Sequence, residues 1–579
     1  MPWCRRLTVI VFTVVAAGMN AAVARAQTTG LVPLNELGAG TYAGFPGGLY
    51  PGGSNVPPPA HLSAALAAAA RIVPRDASGV ADANGWIGMI ALGMSNTTHE
   101  FGAFERNADR DTGRNARVLL MDTGLGGQTA TVLANPAASY WSTAAQRVTA
   151  MGLTAAQIQV AWLKEAEANP PNNFPLHAQA LRDTLVRVVQ NLHDKYPNVR
   201  VCYVSSRIYG GYSAQGGLNP EPQAYESGFA VKWLIEQQIS GAAALNTDPA
   251  AGPVRAPVLV WGPYLWANGT LPRSDGLVWT LNDLESDHVH PSPAGEQKVA
   301  AMLAQFFATD TTAATWWRAQ PGVSLRVLDA TDDATVALAT PATNLGADTL
   351  LSAAAGAAAQ NVYARFDASA VSEPVLHAKL SLRVFASGGG AARLVNGTAW
   401  NESAITWATA PPLGATLVTV PQASRDGTWG GQVTAAYNAD PDHVLSFAIT
   451  SPVAGPMNYH SREGSDPPRL VLVVSTPVLG AGPGAVPARG VALAAAPNPA
   501  AAGTRVAFTL AARGHAELAV FALDGRRVRM LASGMLEAGP QSRAWDGRDD
   551  DGRTVAAGVY LLRLVTPAGA SVARVAWLR

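Results

Sequence analysis

The sequence predicts a multidomain protein in which an α/β three-layer sandwich is followed by two all-β sandwich domains. Between residues 85 and 307, short apolar runs alternate with longer amphipathic ones, as in a parallel sheet covered by helices. From residue 318 onward, short alternating runs are separated by Gly, Asn, Asp and Ser, which favours antiparallel strands. A stretch rich in Pro, Gly and Ala at 475–489 divides this β region in two and predicts a linker.

Five buried strands form the predicted parallel sheet. Amphipathic helices are expected between them, most clearly at 176–196 and 226–239. Because ligands of such sheets bind beyond the carboxyl ends of the strands, a functional site is expected at that edge. The strand candidates lie at 86–92, 117–121, 158–163, 199–204 and 257–261.

The first residues have the order of a secretory signal peptide. Arg5 and Arg6 precede an apolar run over 7–23, and the small-x-small sequence at 24–26 follows. We therefore expect cleavage near Ala26 and a secreted or cell-surface protein. No later run reaches the ~18 uncharged apolar residues of a spanning helix, so no membrane span is expected after cleavage. The predicted segments are 1–26, an α/β domain at 27–318, a β-sandwich at 327–474, the linker at 475–489 and a second β-sandwich at 490–579.

Composition excludes some functions. The 41 basic and 41 acidic residues cancel, which gives no electrostatic argument for binding nucleic acid. Cys4 lies in the predicted signal peptide, so Cys202 is left alone in the mature chain and is expected to be a small buried hydrophobe. No Cys/His cluster has metal-ligand spacing, and neither a metal nor another cofactor is expected.

Ser95 follows the first predicted strand and precedes a helical pattern. A nucleophilic serine needs this placement, because its hydroxyl is exposed and nearby backbone N–H groups are free to meet an oxyanion. The alternative is an ordinary helix cap in the sequence Ser-Asn-Thr. The second strand leads into a glycine-rich turn, where Gly127 can present a backbone N–H; a plain tight turn is the alternative.

Asp287 and His290 precede the last amphipathic helix of the α/β region. Their spacing places a carboxylate against one imidazole nitrogen while the other faces a nucleophile. A solvated turn with a capping Asp is the alternative. The segment reads Asp-His-Val-His-Pro-Ser-Pro-Ala-Gly over 287–295.

These three elements, in this order, resemble the SGNH (GDSL-like) hydrolases, over about residues 31–317. The resemblance implies a flavodoxin-like three-layer fold and a serine esterase. It also implies that Ser95 attacks an ester carbonyl, His290 transfers the proton and Asp287 orients the imidazole. The backbone N–H groups of Ser95 and Gly127 would hold the oxyanion.

The third strand departs from the family pattern. SGNH hydrolases usually have Gly-x-Asn-Asp there, whose Asn is a further oxyanion donor, but this chain has Leu-Lys-Glu-Ala-Glu-Ala-Asn over 163–169. Lys164 and Asn169 are the candidates for that donor. His288 competes with His290, which is preferred because it directly precedes Pro-Ser.

The middle β region resembles the DNRLRE β-sandwich modules, which implies carbohydrate binding. The resemblance rests on Trp-Asn-Glu-Ser-Ala-Ile-Thr-Trp over 400–407 and Tyr-His-Ser-Arg-Glu-Gly over 459–464. Trp400 and Trp407 are candidates for stacking on sugars, although aromatic residues in strands are more often core residues. Arg462 is a candidate for bonding sugar hydroxyls or for pairing with Glu463.

The C-terminal region resembles both the Ig-like domain of the flagellar hook-capping protein FlgD and the sorting tails of the type IX secretion system. The resemblance rests on Pro-Asn-Pro at 497–499 and Trp-Asp-Gly-Arg-Asp at 545–549. It implies a partner in the secretion or surface-attachment machinery, and a plain spacer is the alternative.

The sequence thus predicts a secreted serine esterase that hydrolyses acyl esters, acetyl esters first among them. The substrate would be an acylated carbohydrate or another ester, with polysaccharide bound by the β-sandwich. Two alternatives are a non-catalytic carbohydrate-binding surface adhesin with a degenerate hydrolase domain, and a lipid or thioester hydrolase.

Overall fold

The computed structural model divides the chain into two compact units after Thr476. The first contains the α/β region and the middle β region, and the second contains the C-terminal β region. The predicted signal peptide and nearly all of the predicted linker lie outside the described residues. Those residues are 28–168, 173–213, 218, 220–464, 466–476, 493–510, 512–522, 526–566 and 569–578.

A parallel sheet forms the centre of the α/β region. A short hairpin of β1 (Thr41–Tyr42) and β2 (Phe45–Pro46) precedes it. The sheet strands are β3 (Ile87–Gly93), β4 (Val118–Asp122), β5 (Ile158–Lys164), β6 (Val201–Ser205) and β7 (Val258–Trp261). They pair in parallel in the order β4-β3-β5-β6-β7, which is 2-1-3-4-5 by position in the chain. All of their residues are buried, as expected for strands covered on both faces.

Helices connect and cover these strands. None of those in the described residues combines the length and the apolar character needed to cross a membrane. They are α1 (Leu34–Leu37), α2 (Pro59–Ala69), α3 (Ser95–Asp109), α4 (Ala130–Leu133), α5 (Ser139–Ala150), α6 (Leu176–Lys195), α7 (Gln223–Ile239), α8 (Pro293–Thr309) and α9 (Ala314–Trp317).

The middle β region is a sandwich of antiparallel sheets with one short helix, α10 (Thr434–Ala439). Its strands are β8 (Val323–Asp329), β9 (Asp332–Ala337), β10 (Leu350–Ala353), β11 (Gln360–Asp367), β12 (Val375–Arg383), β13 (Ser387–Val395), β14 (Leu413–Ser424), β15 (Thr428–Gln432), β16 (Val444–Thr450), β17 (Met457–His460) and β18 (Arg469–Ser475). One sheet has the order β14-β13-β16-β11-β9, a second has β15-β12-β18-β8, and β10 pairs with β17. The predicted succession of a parallel α/β region and all-β sheets is confirmed.

The four-stranded sheet of this sandwich has a core on each face. Leu470 and Leu472 of β18 pack in the core of the sandwich, whereas Val471 and Val473 of the same strand join the core of the α/β region. The alternation follows from the two-residue period of a strand. The sequence predicted 327–474 as a module of its own, but in the structure it shares a core with the α/β region.

The C-terminal unit is a second β-sandwich. Its core contains Phe508, Trp545 and Trp577. The strands are β19 (Leu493–Ala496), β20 (Thr504–Leu510), β21 (Gly514–Phe521), β22 (Arg527–Leu536), β23 (Gly539–Trp545), β24 (Gly558–Thr566) and β25 (Gly569–Trp577). They form a three-stranded sheet, β19-β20-β23, and a four-stranded sheet, β22-β21-β24-β25.

Candidate active site

The turn between β3 and α3 places Ser95 at the carboxyl edge of the sheet. Gly93 ends the strand with a φ of 154°. A Cβ atom at Gly93 would lie 2.2 Å from the carbonyl oxygen of Lys164 and 2.3 Å from Oγ1 of Thr97, so only glycine fits. Ser95 then begins α3, which leaves its backbone N–H without an intrahelical partner.

Ser95, His290 and Asp287 form a continuous hydrogen-bonded chain. Oγ of Ser95 lies 2.8 Å from Nε2 of His290, and Nδ1 of His290 lies 2.5 Å from Oδ2 of Asp287. The sequence named these three residues, and the structure brings them together. The arrangement can deprotonate a serine hydroxyl and stabilise the imidazolium that results.

Asp287 is held in its ionised form. Its Oδ1 accepts the backbone N–H groups of Val289 at 2.9 Å and His290 at 3.0 Å. Partial burial by itself would raise the pKa of Asp287, but the hydrogen bonds from the His290 side chain and these N–H groups outweigh it and lower the pKa to about 2. A negative charge therefore stands beside the imidazole at neutral pH.

The loop that carries the histidine is fixed from two sides. Leu284 and Pro291 pair as an isolated antiparallel bridge, and Nδ2 of Asn96 donates to the carbonyl oxygen of Val289 at 3.0 Å. Ser292 then caps α8 by accepting the N–H of Gly295. His290, and not the competitor His288, faces Ser95.

Two backbone N–H groups are available to an oxyanion. Neither Ser95 nor Gly127 donates its N–H to an acceptor among the described residues. The N–H of Leu125 donates to the carbonyl oxygen of Gly93 at 3.0 Å, which ties the glycine-rich turn to the end of β3. Gly127 has a φ of 74°, a conformation that glycine adopts without strain.

Lys164 does not fit the predicted role of third oxyanion donor. Its Nζ lies 2.5 Å from both carboxylate oxygens of Glu100, and both side chains are buried. Burial lowers the pKa of Lys164 to about 8, against the opposing effect of Glu100. The ammonium is therefore engaged in a buried ion pair. The other candidate, Asn169, lies outside the described residues.

His99 is a neighbour of the site that the sequence interpretation missed. It is one helical turn after Ser95 on α3, and its ring stacks on that of His290 with centroids 5.3 Å apart. Burial lowers the pKa of His99 to about 4, so it is neutral at pH 7. The four-residue spacing from Ser95 was the available signal, because such residues share a helix face.

The turn between β14 and β15 of the middle sandwich also reaches the site. Ser424 accepts the N–H of Gly126 at 2.9 Å, and Arg425 pairs with Glu285 in the loop that leads to Asp287. The residues are about 140 to 298 positions apart in the chain. Neither apolar periodicity nor a local motif could therefore reveal these contacts.

One cluster near the site offers possible metal ligands. His99, Glu285 and Asp426 present ligand atoms within 4.8 Å of one another. The guanidinium of Arg425 bonds both carboxylates, at 3.1 Å for Asp426. A protein cation therefore already balances these charges.

The predicted carbohydrate-binding residues have different environments. Trp400 is 7% exposed, and its Nε1 donates to Oγ of Ser446 at 3.0 Å, so it is a core residue and no stacking platform. Trp407 is half-buried and packs against the small apolar cluster that contains Trp400. Arg462 pairs with Glu402 and lies 3.8 Å from Glu463.

The middle sandwich matches a known family. Residues 325–475 match carbohydrate-binding module family 96. This stretch is similar to a carbohydrate-binding module. A comparison with curated proteins found no match.

Several solved structures are similar to parts of the chain. The periplasmic domain of a lipopolysaccharide acetyltransferase from Salmonella ser. Paratyphi A has 12% identity over 39% of this chain and 85% of that chain, with a TM-score of 0.23. A putative acylhydrolase from Bacteroides fragilis has 13% identity over 43% and 95%, with a TM-score of 0.23. PorZ, a surface component of the type IX secretion system of Porphyromonas gingivalis, has 21% identity over 21% of this chain, with a TM-score of 0.13. The matched part is 15% of the length of PorZ, and in a β-glucuronidase from Parabacteroides merdae it is 27% of that chain.

Proposed function

We propose that the chain is an exported serine esterase of the SGNH type that removes acyl groups, such as acetyl, from carbohydrate. The observation that carries the proposal is the hydrogen-bonded chain from Ser95 through His290 to Asp287. The family 96 match of residues 325–475 supports the choice of a carbohydrate substrate.

The proposed reaction has two steps. Oγ of Ser95 attacks the ester carbonyl while Nε2 of His290 takes the hydroxyl proton, and the oxyanion accepts the N–H groups of Ser95 and Gly127. Collapse of this intermediate breaks the bond to the alcohol, which leaves with the proton from His290. Water, deprotonated by the same nitrogen, then attacks the acyl-serine, and collapse of this second intermediate releases the carboxylic acid while His290 returns the proton to Oγ of Ser95.

The strand order supports the finer fold assignment. The order 2-1-3-4-5 is that of the flavodoxin-like sheet, whose ligands bind where the strand order reverses, beside the first strand. Ser95 follows that strand directly. A nucleophile at this point faces the crevice in which a substrate is expected to bind.

The sandwich would bring the enzyme to its substrate. Binding of one part of a polymer raises the effective concentration of its ester groups at the catalytic site. With Trp400 in the core, Trp407 and Arg462 remain the candidates for sugar contacts. The resemblance of this region to the DNRLRE modules would likewise imply that it binds carbohydrate.

Export rests on the sequence. The order of Arg5, Arg6 and the apolar run supports a signal peptide at 1–26. The C-terminal unit would attach the enzyme to the surface or to its secretion machinery, as its resemblance to type IX sorting tails and to the FlgD Ig-like domain implies.

Product analysis tests the proposal. Purified protein is incubated with acetylated xylan, acetylated pectin, a long-chain ester and a thioester, and the released acids are measured. We expect acetate from an acetylated polysaccharide with the wild type and none with Ser95→Ala. Preference for the long-chain ester or the thioester would favour the lipid or thioester hydrolase. Retention on polysaccharide without any acid release would favour the adhesin.

A further inference from the structure

The turn at 424–427, between β14 and β15, packs tightly against the catalytic elements. A Cβ atom at Gly102 of α3 would lie 2.9 Å from the carbonyl oxygen of Asp426, and one at Gly427 would lie 2.6 Å from Cγ2 of Thr98. Glycine at both positions therefore lets the turn and the helix approach with no side chain between them. The contact leaves little freedom for the turn to move relative to Ser95.

Ser424 and Ser95 both lie close to Gly126 in the glycine-rich turn. A Cβ atom at Gly126 would lie 3.7 Å from Oγ of Ser424 and 3.8 Å from Cβ of Ser95. Ser424 and Ser95 thus both border the same point of the glycine-rich turn. The hydroxyl of Ser424 accepts the N–H of Gly126 at 2.9 Å, one residue before the N–H that would bind the oxyanion.

A second contact from β14 holds the same glycine-rich turn. Arg147 is buried, and its NH1 donates to the carbonyl oxygens of Asp122 at 2.9 Å and Gly124 at 3.0 Å. Its NH2 donates to the carbonyl oxygen of Gln422 in β14. Strand β14 therefore fixes the start of the turn through Arg147 and its end through Ser424.

The base of the turn at 424–427 is anchored by buried charge. NH2 of Arg383 donates to Oδ1 of Asp426 at 2.8 Å and to Oε2 of Glu296 at 3.1 Å. Glu296 lies in the first turn of α8, just after the loop of His290. Strand β14 and the turn at 424–427, with Arg383 at its base, thus contact the elements that carry Ser95, the N–H of Gly127 and His290.

We propose that Ser424 is a positioning residue for catalysis, through which the carbohydrate-module sandwich completes the oxyanion site of the α/β domain. The inference rests on the proposed esterase function. By accepting the N–H of Gly126, Ser424 holds the neighbouring peptide so that the N–H of Gly127 points at the developing oxyanion. A preorganised donor needs no rearrangement as the charge forms, and removing one such donor typically costs ~100 to 1000-fold in turnover.

The test uses the full chain and p-nitrophenyl acetate, a soluble ester without sugar, so that polysaccharide affinity has no influence. Ser424→Ala should lower kcat about tenfold and leave KM nearly unchanged, because the turn is loosened but not lost. Ser424→Thr, which keeps the hydroxyl, should restore kcat. Ser369→Ala is the matched control, since Ser369 is an exposed serine of the same sandwich that bonds only locally to Asp367.

The outcomes separate this inference from the proposed function. The inference is overturned if Ser424→Ala keeps wild-type kcat, or if Ser424→Thr loses as much as Ser424→Ala, while Ser95→Ala is inactive. A thermal melt of each variant shows whether a lower kcat merely follows unfolding, in which case the positioning role is rejected as well. If Ser95→Ala keeps full activity, the proposed esterase site itself is wrong.

Discussion

Asp287 shows how one side chain serves both chemistry and stability. It is exposed at the surface, but three hydrogen bonds from its own loop keep it ionised. The same bonds fix the imidazole of His290 with one nitrogen toward Ser95. In the proposed reaction, the carboxylate orients the base and stabilises its charged form without taking a proton itself.

We expect Asp287→Asn to lower kcat about 1000- to 10,000-fold, less than Ser95→Ala or His290→Ala, because the amide leaves the nucleophile and base in place. Ester hydrolysis by the three variants measures this order. His288→Ala is the control and should keep most activity. Equal activity of Asp287→Asn and wild type would contradict the assigned role.

The same variant should change the acid stability of the protein. The pKa of Asp287 is about 2 in the folded chain, below the ~3.9 of an unfolded aspartate, so its stabilising effect is present above pH ~4 and is lost as pH falls toward 2. The free energy of unfolding of wild type should therefore fall more steeply in that window than that of Asp287→Asn. Denaturant titrations at several pH values measure the free energy of unfolding of both proteins. Parallel pH dependences of the two free energies would contradict the prediction.

At the residue scale, the sequence could predict the parts of the site that depend on local order. Ser95 after a strand and Asp287 with His290 before a helix are short motifs with a clear mechanism. It could not predict that Lys164 pairs with Glu100 or that Trp400 donates to Ser446, because these partners are 64 and 46 positions away. The contact of Ser424 with Gly126 was not predictable for the same reason, since the two residues are 298 positions apart.

Among the elements, α3 is unusual because it is polar yet almost wholly buried. All of its residues except Ser95 and Asn107 are buried, since the sheet covers one side and the middle sandwich covers another. Two of its carboxylates are paired across the contact with the sandwich. Nζ of Lys379 in β12 lies 3.0 Å from Oε1 of Glu105 and 2.5 Å from Oδ2 of Asp109.

Lys379→Met should lower the free energy of unfolding by about 3–5 kcal/mol, because it leaves the buried carboxylate of Glu105 without its cation and Asp109 with Arg114 alone. Chemical denaturation measures the loss. Adding Glu105→Gln should recover part of the loss, since the carboxylate that remains, Asp109, still pairs with Arg114. If the single variant is as stable as wild type, the ion pairs do not hold the two regions together.

The elements of the sheet were predictable because each is a local pattern. The predicted strand at 158–163 and the observed β5 (Ile158–Lys164) differ by one residue, and the helix at 176–196 is observed as Leu176–Lys195. The role of β18 between two cores was not predictable. Residues 470–474 of this strand are all apolar, so the pattern does not tell which face meets which partner.

Over the whole molecule, the α/β region and the middle sandwich belong to one compact unit that ends at Thr476. Their shared core and buried ion pairs mean that neither is complete without the other. The C-terminal unit has its own sheets and core. A sandwich that shares a core with the α/β region in this way differs from a module tethered by a linker.

Two truncations follow from this division. A chain ending at 318 should be unfolded or aggregated, because it lacks Lys379 and Arg383, which pair with the buried Glu105, Asp109 and Glu296. A chain ending at Thr476 should keep wild-type kcat on a soluble ester, since the second unit folds on a core of its own. Circular dichroism and ester hydrolysis check both. A folded and active 28–318 fragment would show that the sandwich is dispensable.

The central claim is that Ser95 is the nucleophile of an ester hydrolase. The most direct measurement is rapid acid quench of the protein with p-nitrophenyl acetate, followed by mass spectrometry of its peptides. We expect one acetyl group on Ser95, formed before steady state and absent in Ser95→Ala and His290→Ala. An acyl group on another residue, or steady hydrolysis by Ser95→Ala, would contradict it.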